Sequence, residues 1–285
     1  MLKVSDRYLI TGGSGFLGRA LIDRLAKLGI ENLVVVARNE GNLIALKNDF
    51  PHIEIIPGDI ADPIICRKAM QGADGIFHLA AFKHVTMAES NAWECIQSNV
   101  VGTNNLLVES MHEKPKFFCY VSTDKAAQVK GVYAATKFIG EAAVREFAKI
   151  NPATCYLNAR YGNVFGSTGS FIHKWRKAVE QGREIVINEP SATRFFFSVN
   201  AAVDLIMDLV LNGRTGIQHP TIKAVSMGTV LEAFKDICAR DGKEVRVKQI
   251  GLQYGENLHE TMDGMTFSDK AEHYTKDEFI AEFLS

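Results

Sequence analysis

The stretch TGGSGFLG, Thr11 to Gly18, limits the folds open to this chain more than any other feature. Before it stands the short apolar run YLIT, which reads as a strand. After it comes FLGRALIDRLAKLG, with Leu17, Leu21, Leu25 and Leu28 at helical spacing and Gly29 as a stop signal. Gly12, Gly15 and Gly18 follow a G-x-x-G-x-x-G spacing, one residue different from the commoner G-x-G-x-x-G. A strand running through such a turn into a helix reverses sharply and lets backbone N–H groups approach a pyrophosphate. It also points the positive end of the helix at that charge. A nucleotide cradle is therefore expected; a glycine-rich turn with no ligand is the plainer alternative.

Further along, NLVVVAR, EIIPGD, GIFHLA and FFCYVST read as four more strands, rich in Val, Ile and aromatics without strict alternation. Runs of this kind suit a parallel sheet covered on both faces. WECIQSNVVGTNNLLVESMH, YAATKFIGEAAVREFAK and FSVNAAVDLIMDLVLNG read as helices. The implied class is α/β, a Rossmann-like doubly wound parallel sheet with a smaller C-terminal lobe. The expected division is 1–165 for a dinucleotide-binding domain and 166–285 for a substrate-binding lobe, with 195–213 packing back on the first.

Composition excludes several classes. The 285 residues carry a formal net charge of -1 and no Lys/Arg-rich run, which argues against nucleic acid or an anionic membrane surface as the main partner. Five widely spaced cysteines with no C-x-x-C, and eight histidines without metal-ligand spacing, leave no metal site expected; His78 and His84 are read as structural. No apolar run approaches a membrane span and the first residues lack a signal-peptide pattern, so a soluble, cytoplasmic protein is expected.

The second strand ends at Arg38, where NAD-binding folds place a carboxylate for the ribose 2′-hydroxyl and where an arginine suits the 2′-phosphate of NADP. NADP is the expected cofactor; NAD stays open, because Glu40 is two residues on. Asp59, after the third strand, stands where a side chain meets adenine or caps the next element. With Ser14, Phe16 and Leu17 in the glycine turn, Ile60 beside Asp59, and Ala80 and Ala81 after the fourth strand, these are the expected cofactor contacts.

STDKAAQVKGVYAATK, Ser122 to Lys137, holds the chemistry. Tyr133 and Lys137 share one helix face at i,i+4. An ammonium at Lys137, and a positively charged nicotinamide, would lower the phenol of Tyr133, which could then take a proton from an alcohol while hydride leaves its carbon. Both residues count among the cofactor contacts as well. The adjacent Asp124 and Lys125 are surplus to a simple oxidation; a helix cap and a solvated loop charge are their plainer readings.

TGGSGFLG, HLAAFKHV, VSTDK, YAATK and ARYGNVFG, in that order, resemble the extended short-chain dehydrogenase/reductases. VSTDKA, AAFKHVTMAESNAWECIQSNVVGT, RYGNVFGSTGS, TRFFFS and GENLHE are similar, over about residues 8 to 262, to the inverting UDP-N-acetylglucosamine 4,6-dehydratases of polysaccharide biosynthesis, a branch that includes some UDP-sugar 4-epimerases. The resemblance implies a homo-oligomer acting on a UDP-sugar. It gives Asp124 the C6 leaving group and Lys125 the C5 proton, and brings Lys83, Thr123, Asn163, Arg194 and Glu256 to the substrate. An epimerase is the alternative within the branch, and a non-catalytic nucleotide sensor is a third reading. The chain departs from the family at Thr168, where arginine is usual, and at Asn257, where lysine is usual; both changes fall in the expected substrate lobe.

Overall fold

The computed structural model describes residues 2–167 and 170–284, so Thr168 lies outside the described residues. The chain runs through β1 (Tyr8–Thr11), α1 (Phe16–Lys27), β2 (Leu33–Ala37), α2 (Glu40–Asp49), β3 (Glu54–Pro57), α3 (Pro63–Met70) and β4 (Gly75–His78). Next come α4 (Val85–Ser90), α5 (Ala92–Ile96), α6 (Gly102–Glu113), β5 (Phe117–Thr123), α7 (Val132–Ile150) and β6 (Cys155–Tyr161). The remainder is β7 (Asn163–Val164), α8 (Phe171–Glu180), β8 (Ile185–Ile187), β9 (Thr193–Phe197), α9 (Val199–Asn212), β10 (Gly216–Gln218), β11 (Ala224–Ser226), α10 (Met227–Arg240), β12 (Val247–Gln249) and α11 (Lys276–Phe279).

Seven strands form one parallel sheet in the order β10-β6-β5-β4-β1-β2-β3. Alternate residues enter opposite cores. Tyr8, Ile10, Val35, Phe77 and Phe117 face one cluster with α1, α2 and α9. Leu9, Val34, Val36, Ile76 and Phe118 face another with α3, α6 and α7. Each wholly buried side chain of this size contributes roughly 1.5–3 kcal/mol, and burial on both faces is why these strands read as continuous apolar runs. The strand order reverses between β1 and β4, so a crevice opens at their carboxyl ends.

Two details differ from the sequence reading. The helix expected to start at Trp93 is a helical run broken by a wider π turn at Gln97–Val101. That turn aims Asn99 inward, where its side chain accepts from Phe82 N at 2.7 Å and donates to Phe82 O at 3.0 Å and Thr136 Oγ1 at 3.0 Å. In α1 the buried set is Gly18, Leu21, Ile22 and Leu25, while Leu28 is exposed because the helix ends there.

After β6 the chain leaves the sheet, and β7, β9 and β11 form a second, three-stranded one. It carries a third cluster that includes Trp175, Phe196, Val225, Phe234 and Phe279. Between them α9 returns to α1, tied by Arg24 to Asp204 at 2.6 Å, and β10 joins the edge of the large sheet against β6.

Candidate active site

One cleft of about 670 Å³ spans the crevice and the face of the second sheet. Its floor is the glycine turn. Gly12 has φ +69°, and a Cβ there would lie 2.8 Å from the nitrogen of Ala80. A Cβ on Gly18 would meet Gly13 Cα at 2.5 Å, so only glycine lets α1 start this close to the turn. Gly15 is the N-cap of α1 with no side-chain cap and no acidic residue in the first turn, which leaves the first N–H groups directed at the cleft. Buried His78 braces this floor by hydrogen bonds to Thr11 Oγ1 at 2.7 Å and Thr103 Oγ1 at 2.9 Å.

Ser14, Phe16, Leu17, Arg38, Asp59, Ile60, Ala80 and Ala81 all line the cleft. Arg38 is largely exposed, with Nη1 3.7 Å from Asp59 Oδ2. Asn39 lines the cleft beside it, whereas Glu40 begins α2, is exposed, and does not.

The residues expected to do acid/base work lie where β5 ends and α7 begins. Lys137 is buried; its Nζ donates to the carbonyl of Val121 at 2.6 Å and stands 4.1 Å over the Tyr120 ring. Burial brings it down to about 7. The Tyr133 phenol is raised, not lowered: burial pushes it up to about 12, against the opposing effects of the Lys125 charge and a hydrogen bond with Thr123. The cation that lowers the phenol in this structure is Lys125.

Asp124 is wholly buried and does not line the cleft, although Thr123 and Lys125 on either side do. Its Oδ1 accepts from Thr123 Oγ1 at 2.8 Å and from Lys125 Nζ at 3.1 Å, while Oδ2 has no hydrogen-bond partner among the described residues. Burial, which outweighs the pull of Lys125, holds this carboxyl above the usual carboxylate range. Asp124 therefore reaches the cleft through Thr123 and Lys125, not by direct exposure.

Lys83, Asn163, Arg194 and Glu256, the residues expected at the substrate, also line the cleft. Arg194 Nη1 donates to the carbonyls of Thr193 at 2.8 Å and Leu258 at 3.0 Å. Glu256 accepts from Asn188 Nδ2 at 2.8 and 2.7 Å. Sequence reasoning missed Asn188, the aromatic wall of Phe165, Phe171, Trp175 and Phe196, and above all Glu260. Glu260 is the last residue of GENLHE, and its buried Oε1 lies 3.3 Å from Lys125 Nζ. Burial raises Glu260, but Lys125 and Arg194 outweigh it and hold the carboxyl below its ordinary range. Among the described residues no group of three or more His, Cys, Asp or Glu could hold a metal, and no helix is long and apolar enough to cross a membrane.

Residues 8–282 match the family described as polysaccharide biosynthesis protein. The chain belongs to this family. It is an extended short-chain dehydrogenase/reductase in fold and motif order. The chain is 30% identical over 263 residues to an uncharacterized membrane protein of Methanocaldococcus jannaschii, covering 89% of this chain and 79% of the relative. It is 31% identical over 280 residues to a UDP-glucose 4-epimerase of Rickettsia canadensis, covering 94% and 81%. Among solved structures it is similar to Pen from Bacillus thuringiensis, with a TM-score of 0.86, 26% identity, and coverage of 92% and 82%.

Proposed function

We propose that this protein is a nucleotide-sugar 4,6-dehydratase that inverts C5, using NADP and acting on UDP-N-acetylglucosamine or a close relative. The observation that carries the reading is the pair of buried Asp124 and cleft-lining Lys125, 3.1 Å apart, beside Tyr133. Epimerisation at C4 asks for one acid/base group. Elimination asks for two more, one to take the C5 proton and one to protonate the departing C6 hydroxyl.

The glycine cradle, the uncapped start of α1 and Arg38 fit a dinucleotide phosphate, with Lys137 and Tyr133 at the far end. A bound nicotinamide dinucleotide would supply hydride removal at C4 and return at C6, so that it is not consumed. Tyr133 takes the proton of the C4 hydroxyl. Lys125 takes the C5 proton, acid once C4 is a ketone, and reprotonation of C5 on the opposite face inverts that centre. Asp124, held above the usual carboxylate range by burial, is the acid that gives its proton to the departing C6 oxygen, and water leaves. Residues 1–165 with the return at 195–213 carry the cofactor in this reading, and the rest of 166–285 carries the sugar nucleotide.

A 4-epimerase is the second reading. It is favoured by the name of the Rickettsia relative and by the absence of Asp124 from the cleft surface. Mass spectrometry after incubation with UDP-N-acetylglucosamine separates them. Loss of one water supports the dehydratase, an isomer of unchanged mass supports the epimerase, and no turnover of any sugar nucleotide refutes both.

A further inference from the structure

Lys125 is held from two directions by parts of the chain far apart in sequence. Asp124 belongs to the turn after β5; Glu260 belongs to the segment that follows β12 and crosses to the cleft. The Lys125 ammonium lies 3.1 Å from the first carboxylate and 3.3 Å from the second. Glu260 is itself fixed: Asn257 Nδ2 donates to its Oε2 at 3.2 Å, its backbone nitrogen donates to Ser268 Oγ at 2.9 Å, and Arg194 Nε stands 3.9 Å from its Oε1. Arg194 and Glu260 both line the cleft beside Lys125.

We propose that Glu260 is a positioning residue that holds Lys125, and the proton on it, at the acid/base pair, so that the segment carrying Glu260 sets the pH at which Lys125 becomes a base. The proposal deepens the dehydratase reading and rests on it for the role of Lys125. Two carboxylates facing one ammonium in a buried site keep it charged, and a charge at this distance shifts a partner by about 1–3 pH units. The groups acting on Lys125 are Asp124, Glu260, Arg194 and Tyr133; burial and Arg194 work against its charge, and the two carboxylates outweigh them. Arg194 is the counterweight: drawn toward a substrate phosphate, it would leave Glu260 more strongly on Lys125, and a neutral Glu260 would release Lys125 as a base.

Glu260→Gln keeps the shape and an oxygen for Asn257 while removing the charge. Exchange of the C5 hydrogen of UDP-N-acetylglucosamine with deuterated water, followed across pH, is expected to keep its limb but move it about one unit or more toward lower pH. A limb at the unaltered pH with lower amplitude throughout would overturn the proposal and leave Glu260 as a tether for its segment. Nitrogen-15 NMR of lysine Nζ groups in the cofactor-loaded protein, with Lys125 assigned by its loss in Lys125→Arg, reads the same titration without turnover. A downward shift of that signal in Glu260→Gln is expected even if no C5 exchange occurs; exchange absent from the unaltered protein refutes the dehydratase reading alone, and an unmoved Lys125 signal refutes the role of Glu260 alone. Urea unfolding of Glu260→Gln separates misfolding from either result.

Discussion

Lys137 Nζ donates a 2.6 Å hydrogen bond to the backbone carbonyl of Val121, which fixes the ammonium beneath β5 rather than on the surface of α7. Burial brings this lysine down to about 7, whereas an unfolded chain titrates it near about 10.4. Between those values the unfolded chain binds the additional proton, so stability rises with pH through that window; below it both forms are protonated and the full cost of the buried charge is present. Urea unfolding of the cofactor-free protein should therefore give a stability that climbs between about pH 7 and pH 9. In Lys137→Met the climb should be smaller, and an identical slope in both proteins would rule out a depressed Lys137.

The acid/base roles separate by where each variant stops. Tyr133→Phe should nearly abolish every later step, because no ketone forms to acidify C5. Lys125→Ala should still reduce the nicotinamide, seen as absorbance, yet lose C5 exchange with deuterated water. Asp124→Asn should retain exchange and eliminate water slowly. Loss of a positioned acid or base costs about 10²–10⁴ in rate, enough to resolve the three. Full C5 exchange in Lys125→Ala would remove Lys125 from the mechanism.

Arg38 and Asn39 line the cleft while Glu40 does not. Arg38→Asp should weaken NADP binding by about tenfold or more, the worth of one charge-assisted hydrogen bond, and leave NAD nearly unchanged. Calorimetric titration with both cofactors measures this. Equal affinity of the unaltered protein for the two would contradict the role given to Arg38.

At Gly18 a methyl group would collide with backbone, Gly13 Cα at 2.5 Å and Gly12 O at 2.6 Å, and neither can swing away as a side chain would. Gly18→Ala should destabilise the protein by about 1–3 kcal/mol in urea unfolding and weaken cofactor binding, because α1 must back away from the turn. Gly29, where a Cβ meets nothing within 4 Å, gives a control. Its φ of +76° makes Gly29→Ala costly for stability, but cofactor affinity should be unaffected.

Local pattern by itself determined the parallel sheet, the glycine cradle and the shared helix face of Tyr133 and Lys137. Buried strands, a turn that must reverse, and an i,i+4 spacing each leave their mark within a dozen residues. Tertiary structure alone decided the rest. Strand β6 and the short β10 pair at the edge of the sheet although β7, α8, β8, β9 and α9 lie between them in the chain, and three residues of GIQ carry no strand signal until an open edge accepts their hydrogen bonds. Spacing put Tyr133 and Lys137 on one helix face, but only the folded chain gives the Lys137 nitrogen the Val121 carbonyl as its acceptor and brings the Lys125 charge to bear on Tyr133. Asp124 and Lys125 are neighbours in any conformation, whereas the carboxylate of Glu260 reaches Lys125 only when the segment after β12 folds across the cleft. Burying the two carboxylates is favourable only once the Lys125 ammonium meets both, and that is a property of the closed chain, not of any window of its sequence.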